Sequence, residues 1–204
     1  MKNKVNKMVI QKNNGITECY VLNKDYMELE DKYNTLVASI EAQKLKKELN
    51  LYDIVNYCNH EWYVIKIEND TVTLMSKDVI GTCTYSDNNS NDFTESNCIK
   101  LLNEFMKKIN INDLAVLDRN YDEGKFYTGL IGIPTLREIE AMPMDVRKCS
   151  DAYWTMTASY GVSEDCTNAY VFRVNSNGNL GSIDVNITNG VRPVIKIRKD
   201  SLNE

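Results

Sequence analysis

The sequence predicts an α+β protein: a leading amphipathic helix followed by a larger domain of antiparallel sheets. Three observations predict it. Residues 24–49 contain neither glycine nor proline and repeat apolar residues at helical spacing. From Leu51 onward, short runs of β-branched and aromatic residues alternate in period two. Asn- and Gly-bearing turn signals separate those runs. A chain of 204 residues that is 43% hydrophobic can bury the core of one moderate domain and carry an accessory element. The predicted boundary puts an N-terminal arm and helix in 1–50 and the globular domain in 51–204.

Taken in order, Met8-Val9-Ile10 and Glu18 to Leu22 are strand-compatible and joined through Asn13-Asn14-Gly15, which predicts an N-terminal hairpin. Asn23 or Asp25 offers a side-chain acceptor for the free N–H groups that begin a helix. Along that helix Tyr26, Leu29, Tyr33, Leu36, Ile40 and Gln43 advance by 3, 4, 3, 4 and 3 residues, the a/d stripe of a short coiled coil. The alternative is one amphipathic helix packed on its own domain. Leu51 to Val55, His60 to Ile67 and Thr71 to Met75 follow as consecutive strands. Trp62 and Val64 share one face of the second, and Tyr63, Ile65 and Ile67 the other. A second helix spans Ile99 to Ile109, and a third opens at Pro134, with Thr135 and Glu138 spaced as a capping box. Between these helices, Asn110 to Tyr127 is predicted mostly as loop, with a strand near Leu114 to Leu117. The last third returns to strands over Ala169–Val174, Leu180–Ile187 and Val191–Ile197, with Asn177-Gly178 and Asn189-Gly190 as turns. Pro193 has no N–H to donate, so it belongs at an edge, at a bulge, or where its nitrogen points away from pairing.

Composition excludes several functions. The net charge is −5, and the one basic cluster is Lys2, Lys4, Lys7 and Lys12, so nucleic acid is not expected as a partner. No apolar stretch is long enough to cross a bilayer, and no apolar segment follows the basic start, so neither membrane insertion nor a cleaved secretory signal is expected. The six cysteines, at 19, 58, 83, 98, 149 and 166, contain no C-x-x-C pair, and His60 is the single histidine. A zinc site is therefore not expected, and no cofactor is implied. If one disulfide forms, Cys149 with Cys166 is the first choice.

The candidate sites carry little catalytic chemistry. His60 stands beside Glu61 and Trp62 with no neighbouring nucleophile. The loop 86–92 is rich in Asn and Asp but lacks the D-x-D-x-D-G spacing of a calcium loop. Asp113, Asp118, Asp122 and Glu123 could include a carboxylate pair for glycoside hydrolysis, though nothing in the sequence fixes their separation. No G-x-S-x-G, P-loop or G-x-G-x-x-G motif occurs. Trp62, Trp154, Arg192 and Pro193 are expected as structural anchors. Trp154 sits within the hydroxyl-rich run Tyr153 to Thr157 and calls for a buried ring with a paired N–H. Arg192 offers a planar fork to a carboxylate or to backbone carbonyls. The stretch Ala158 to Asn168 reads as an exposed, adaptable loop, and Ser159, Tyr160, Ser163 and Asn168 are its candidate ligand or partner contacts.

Four ordered motifs give residues 51–197 a resemblance to a domain family of Gram-positive bacteria and their phages. They are Glu61-Trp62-Tyr63-Val64, Leu74-Met75-Ser76, Tyr153-Trp154-Thr155-Met156-Thr157 and Gly190-Val191-Arg192-Pro193. Where Trp-Leu-Arg-Ser is usual, this chain has Trp-Thr-Met-Thr. The family in turn resembles the C-type-lectin-like, formylglycine-generating-enzyme-like fold. The resemblance implies a mixed domain with antiparallel sheets and two short helices. The C-terminal cysteine pair of that fold's enzymes and the Glu-Pro-Asn or Trp-Asn-Asp calcium motifs of its lectins are missing, so neither activity is implied. What is implied is a non-enzymatic phage or prophage virion protein, made in the host cytoplasm and displaying a recognition domain. It would decorate a capsid or form a tail or receptor-binding appendage. The helix would join copies of the chain, as a trimer for example, or join other virion proteins, while the domain met a bacterial surface glycan or protein. The alternatives are a host-encoded binding module, cytoplasmic or at the cell surface, and a carboxylate-dependent hydrolase.

Overall fold

The computed structural model describes residues 5–12, 15–45, 48–160 and 169–202, with side chains over 27–38, 48–160 and 169–202. The chain divides into two compact units, Met1–Glu48 and Leu49–Glu204. Among the described residues, no helix is long and apolar enough to cross a membrane.

In the first unit, β1 (Val5–Lys12) pairs antiparallel with β2 (Gly15–Leu22), Lys12 opposite Gly15. The expected turn residues Asn13 and Asn14 lie outside the described residues. The helix α1 (Asn23–Leu45) follows directly. Leu29, Tyr33 and Leu36 are exposed at 66%, 65% and 57%, while the side chains of Tyr26 and Ile40 lie outside the described set. Lys32 pairs with Glu28 one turn earlier at 2.9 Å, a contact that supports the helix by a few tenths of a kcal/mol.

The second unit is a mixed α+β domain, mostly antiparallel. It opens with β3 (Ile54–Tyr57), β4 (His60–Ile67) and β5 (Thr71–Ser76), then β6 (Thr82–Thr84) and α2 (Cys98–Met106). Next come β7 (Leu114–Ala115), β8 (Leu117–Asp122), β9 (Lys125–Gly129) and β10 (Ile131–Gly132). The helices α3 (Leu136–Ala141) and α4 (Met144–Arg147) precede β11 (Tyr153–Ser159) and β12 (Tyr170–Val174). The chain closes with β13 (Leu180–Asp184), β14 (Thr188–Gly190) and β15 (Val194–Arg198). One sheet runs β10-β15-β5-β4-β3, with β7 also on β15; the other runs β13-β12-β11-β14-β6, and β8 and β9 form a separate hairpin. Among the described residues, only the short β11–β14 contact is parallel.

Between β3 and β4, Cys58 and Asn59 both take positive φ (49° and 60°), which closes a two-residue hairpin in the hand that matches strand twist. The strand β4 departs from the expected alternation. A bulge at Ile65 inserts one residue between the Val64–Leu74 and Lys66–Thr73 pairs. Ile67 therefore moves onto the Trp62–Val64 side, and Tyr63 and Ile65 pack on the other. Both faces of this sheet are covered. Trp62, Val64, Val72, Leu74, Ile195 and Ile197 form the main core with α2, Trp154 and Val171. Met75 and Val194 form a second core with Ile139, Met142, Val146 and Tyr153. β5 is consequently buried almost throughout, as a central strand covered on both sides must be.

Other expectations shift. The second helix begins at Cys98 and stops at Met106, and the one-turn helix α4 joins the two short helices expected. A strand does form near Leu114 as β7, but the rest of the stretch to Tyr127, expected as loop, is taken up by β8 and β9, with Gly124 supplying the positive φ (73°) between them. Asn177-Gly178 does lie in a turn, but only Gly178 has positive φ (87°). Asn189-Gly190 is not a turn: both residues lie in β14. Gly190 is required there because a Cβ would stand 2.4 Å from Val79 Cγ1 and 3.1 Å from the Ala152 carbonyl.

Candidate functional site

The four expected anchors occupy the interior. Trp62 is fully buried and its indole N–H donates to the Tyr57 carbonyl at 3.0 Å. Trp154, also fully buried, donates to the Cys83 carbonyl at 3.0 Å and so ties β11 to β6. Arg192 has no exposed surface. Its guanidinium donates to the carbonyls of Ser76 (2.6 Å), Val146 (3.0 Å) and Arg147 (3.3 Å) and to the Tyr153 hydroxyl (3.1 Å). The rings of Tyr153 and Tyr63 lie 5.0 and 5.5 Å from its central carbon. Among the described residues no carboxylate reaches ion-pair distance of it, so carbonyl dipoles and ring faces carry the solvation of this cation. Pro193 sits in the segment 191–193 that crosses from one sheet to the other, between β14 and β15, and its carbonyl accepts from the Ser76 N–H at 2.8 Å. There its missing N–H breaks no ladder. All four side chains are spent on the chain's own backbone and core.

The exposed chemistry gathers elsewhere, where the end of β11 meets the β8–β9 hairpin. Ser159 is not part of a loop: it closes β11 opposite Tyr170 and is buried, because strand pairing runs further than the hydroxyl-rich composition indicated. Tyr160 follows it, 67% exposed, and its hydroxyl donates to Asp122 Oδ2 at 2.5 Å. That hydrogen bond, with the Asp122 charge, pushes the Tyr160 hydroxyl up to about 12, so it stays a donor throughout the physiological range. Ser163 and Asn168 lie outside the described residues. Beside Tyr160 opens a cleft of about 460 Å³ whose polar lining includes Asp122, Glu123, Thr135, Arg137, Glu140 and Thr157. Three carboxylates against one guanidinium make it acidic.

The polar loop before α2 supports the same surface. Asn89 Oδ1 accepts from the Ala169 N–H at 2.7 Å, and Asp92 Oδ1 accepts from the Tyr121 hydroxyl at 3.1 Å. Lys125 stands 3.5 Å from Asp92 Oδ2. Burial opposes the Asp92 charge, yet the hydrogen bonds from Thr94 and Tyr121 outweigh it and hold the carboxyl below its ordinary value. Among the described residues, no cluster of three or more His, Cys, Asp or Glu side chains could hold a metal ion.

Of the carboxylates of 113–123, Asp122 and Glu123 share the cleft, while Asp113 and Asp118 are engaged elsewhere. Asp113 accepts from the Tyr57 hydroxyl at 3.1 Å, and Asp118 from Thr128 Oγ1 at 2.9 Å. Asp118 and Asp122 stand four residues apart along β8, roughly 13 Å of strand, which exceeds the carboxyl spacing of either glycosidase geometry. His60 meets the edge of Phe105 at 4.9 Å between ring centres. Comparison of the chain with protein-family models, curated proteins and solved structures gave no match.

Sequence reading missed two features of this surface. The β8–β9 hairpin was signalled by Asp122-Glu123-Gly124, where the Asp122 side chain accepts from the Glu123 N–H at 2.8 Å before the positive-φ glycine. Arg119 gave no signal. It is buried on β8, donates to the Ile133 carbonyl at 2.7 Å, and stands 2.8 Å from Glu138 Oε1, too obliquely aligned for a hydrogen bond.

Proposed function

We propose that this protein is a non-enzymatic display module of a phage or prophage particle, with a C-type-lectin-like globular unit presented by a self-associating helix. The observation that carries the reading is the division of labour inside the globular unit. Trp62, Trp154 and Arg192 turn their polar groups onto the chain's own backbone. The exposed Tyr160, the acidic turn of the β8–β9 hairpin and the adjoining cleft instead form one polar contact surface. Such a surface suits hydrogen-bonded recognition of a bacterial surface glycan or protein. The run Gly190 to Pro193, which leaves β14 and crosses to β15 with its Arg192 side chain buried, supports the lectin-like assignment. The exposure of Leu29 and Tyr33, at heptad spacing with Tyr26, Leu36 and Ile40, supports a second and third copy of α1 as its partners.

Two measurements test this on the full chain. Light scattering should give an oligomer, with a trimer expected, and Leu29→Ser combined with Tyr33→Ser should give a monomer whose circular dichroism is otherwise preserved. Co-sedimentation with purified Gram-positive cell-wall sacculi should retain the wild type, and Asp122→Ala with Tyr160→Ala should lose at least tenfold in binding. A monomeric wild type that still binds sacculi replaces the particle protein with a host-encoded wall module. A monomer that binds nothing sinks the reading altogether.

A further inference from the structure

We propose that Cys83 and Cys98 are a dithiol site that closes reversibly to a disulfide when the protein meets an oxidising low-molecular-weight thiol pool. The two sulfurs stand 3.8 Å apart, the only such thiol pair among the described residues. A disulfide requires about 2.05 Å between sulfurs, so closure asks for movement of less than about 2 Å shared between two side chains. The backbones are already adjacent. The Asn97 N–H donates to the Tyr85 carbonyl at 2.8 Å, and Asn97 Nδ2 donates to Thr84 Oγ1 at 3.1 Å, which joins the residue before Cys98 to the two residues after Cys83. Cys83 is held on β6 by its register with Asn189 and by the Trp154 indole on its carbonyl. Cys98 is the first residue of α2 and is fully buried.

Their environments assign an order of attack. Cys83 is half-buried and reachable, and the hydrogen bond from the Cys98 thiol lowers its pKa; burial raises that of Cys98 well above the ordinary thiol. With a small disulfide R–S–S–R as oxidant, the Cys83 thiolate attacks one sulfur, forming Cys83–S–S–R and releasing R–S⁻, which takes up a proton. The Cys98 sulfur, giving up its proton, then attacks Cys83 Sγ and expels the second R–S⁻. The protein loses two electrons and two protons, and R–S–S–R becomes two R–SH. The bond would close a 15-residue span that carries Asn89 and Asp92. Tethering of the contact surface through them rests on the reading above; bond formation does not.

The test equilibrates the full chain with excess oxidised glutathione, blocks remaining thiols with N-ethylmaleimide, and maps peptides by mass spectrometry. The expected result is a linked Cys83–Cys98 peptide pair that disappears with dithiothreitol and in Cys83→Ser. The melting temperature of the oxidised wild type should rise by roughly 5–10 °C over the reduced form, with no such rise in Cys98→Ala. Maleimide on both residues after equilibration, linkage of either to another cysteine, or an unchanged melting temperature overturns the proposal. Sacculus binding is a separate readout: its loss in Asp122→Ala with the disulfide intact concerns only the contact surface.

Discussion

Arg192 shows how much one side chain holds together, because its guanidinium meets three carbonyls and a hydroxyl drawn from β5, α4 and β11. Lysine keeps the charge but offers a point cation in place of the planar fork, so several of these buried acceptors would be left without a donor. Arg192→Lys should therefore cost about 2–4 kcal/mol in urea denaturation at constant slope; a loss below about 1 kcal/mol would show that charge, not fork geometry, matters there. Glu68 works at the surface by a different balance. Hydrogen bonds from Lys196 and Lys66 lower its carboxyl from the ordinary 4.5 to about 2. A depressed carboxyl stabilises the fold above its unfolded pKa, and that stability drains away as the pH falls from about 4.5 towards 2. The side chain is 34% exposed, so water screens the pairs and the contribution is about 1 kcal/mol. Glu68→Gln should be weaker by that amount at pH 7, and its denaturation curve should merge with the wild type near pH 2. A gap that persists at pH 2 would trace the effect to packing instead of charge.

At the scale of elements, legibility follows the range of the interaction that decides each one. The α3 start was readable because its cap is local: Thr135 Oγ1 accepts from the Glu138 N–H at 3.2 Å and Glu138 Oε2 from the Thr135 N–H at 2.8 Å. The second use of Glu138, beside Arg119 on β8, was not readable, since nothing local joins positions 119 and 138. The same division explains Asn189-Gly190. As a dipeptide it signals a turn, yet distant pairing with Thr82 and Cys83 on β6 and the hydrogen bond to the Ala152 carbonyl hold it as strand. The bulge at Ile65 likewise depends on how β5 pairs, which alternation within β4 cannot reveal. At the candidate site, Tyr160 was legible as an exposed residue, but its Asp122 partner, 38 residues away, was not. The double role of Glu138 predicts an asymmetry. Thr135→Ala removes a cap and should cost about 1 kcal/mol, whereas Glu138→Ala also strands a buried guanidinium and should cost about 3–5 kcal/mol. Equal losses in chemical denaturation would mean that Arg119 gains nothing from the carboxylate.

For the whole molecule, the decisive fact is where the cores are built. Among the described residues, every buried residue of the main and second cores lies between Tyr57 and Ile197, and the partly buried residues packed on them begin at Leu49. The last long strand, β15, sits between β5 and the β7 and β10 edges, so the C-terminal end of the chain is a structural centre of the unit Leu49–Glu204. Removal of 1–48 leaves all of these core residues in the chain, whereas removal of β15 takes Val194, Ile195 and Ile197 out of the two cores at once. At 156 residues (204 minus 48) the second unit is long enough to bury about 70% of its unfolded surface. A chain starting at Leu49 should therefore unfold in one cooperative transition within a few degrees of the full-length melting temperature and run as a monomer. A chain ending at Gly190 should show no cooperative transition. A broad, non-cooperative melt of residues 49–204 would instead make the N-terminal unit part of the same folding unit, and the helix would then have to be read as packing on its own domain.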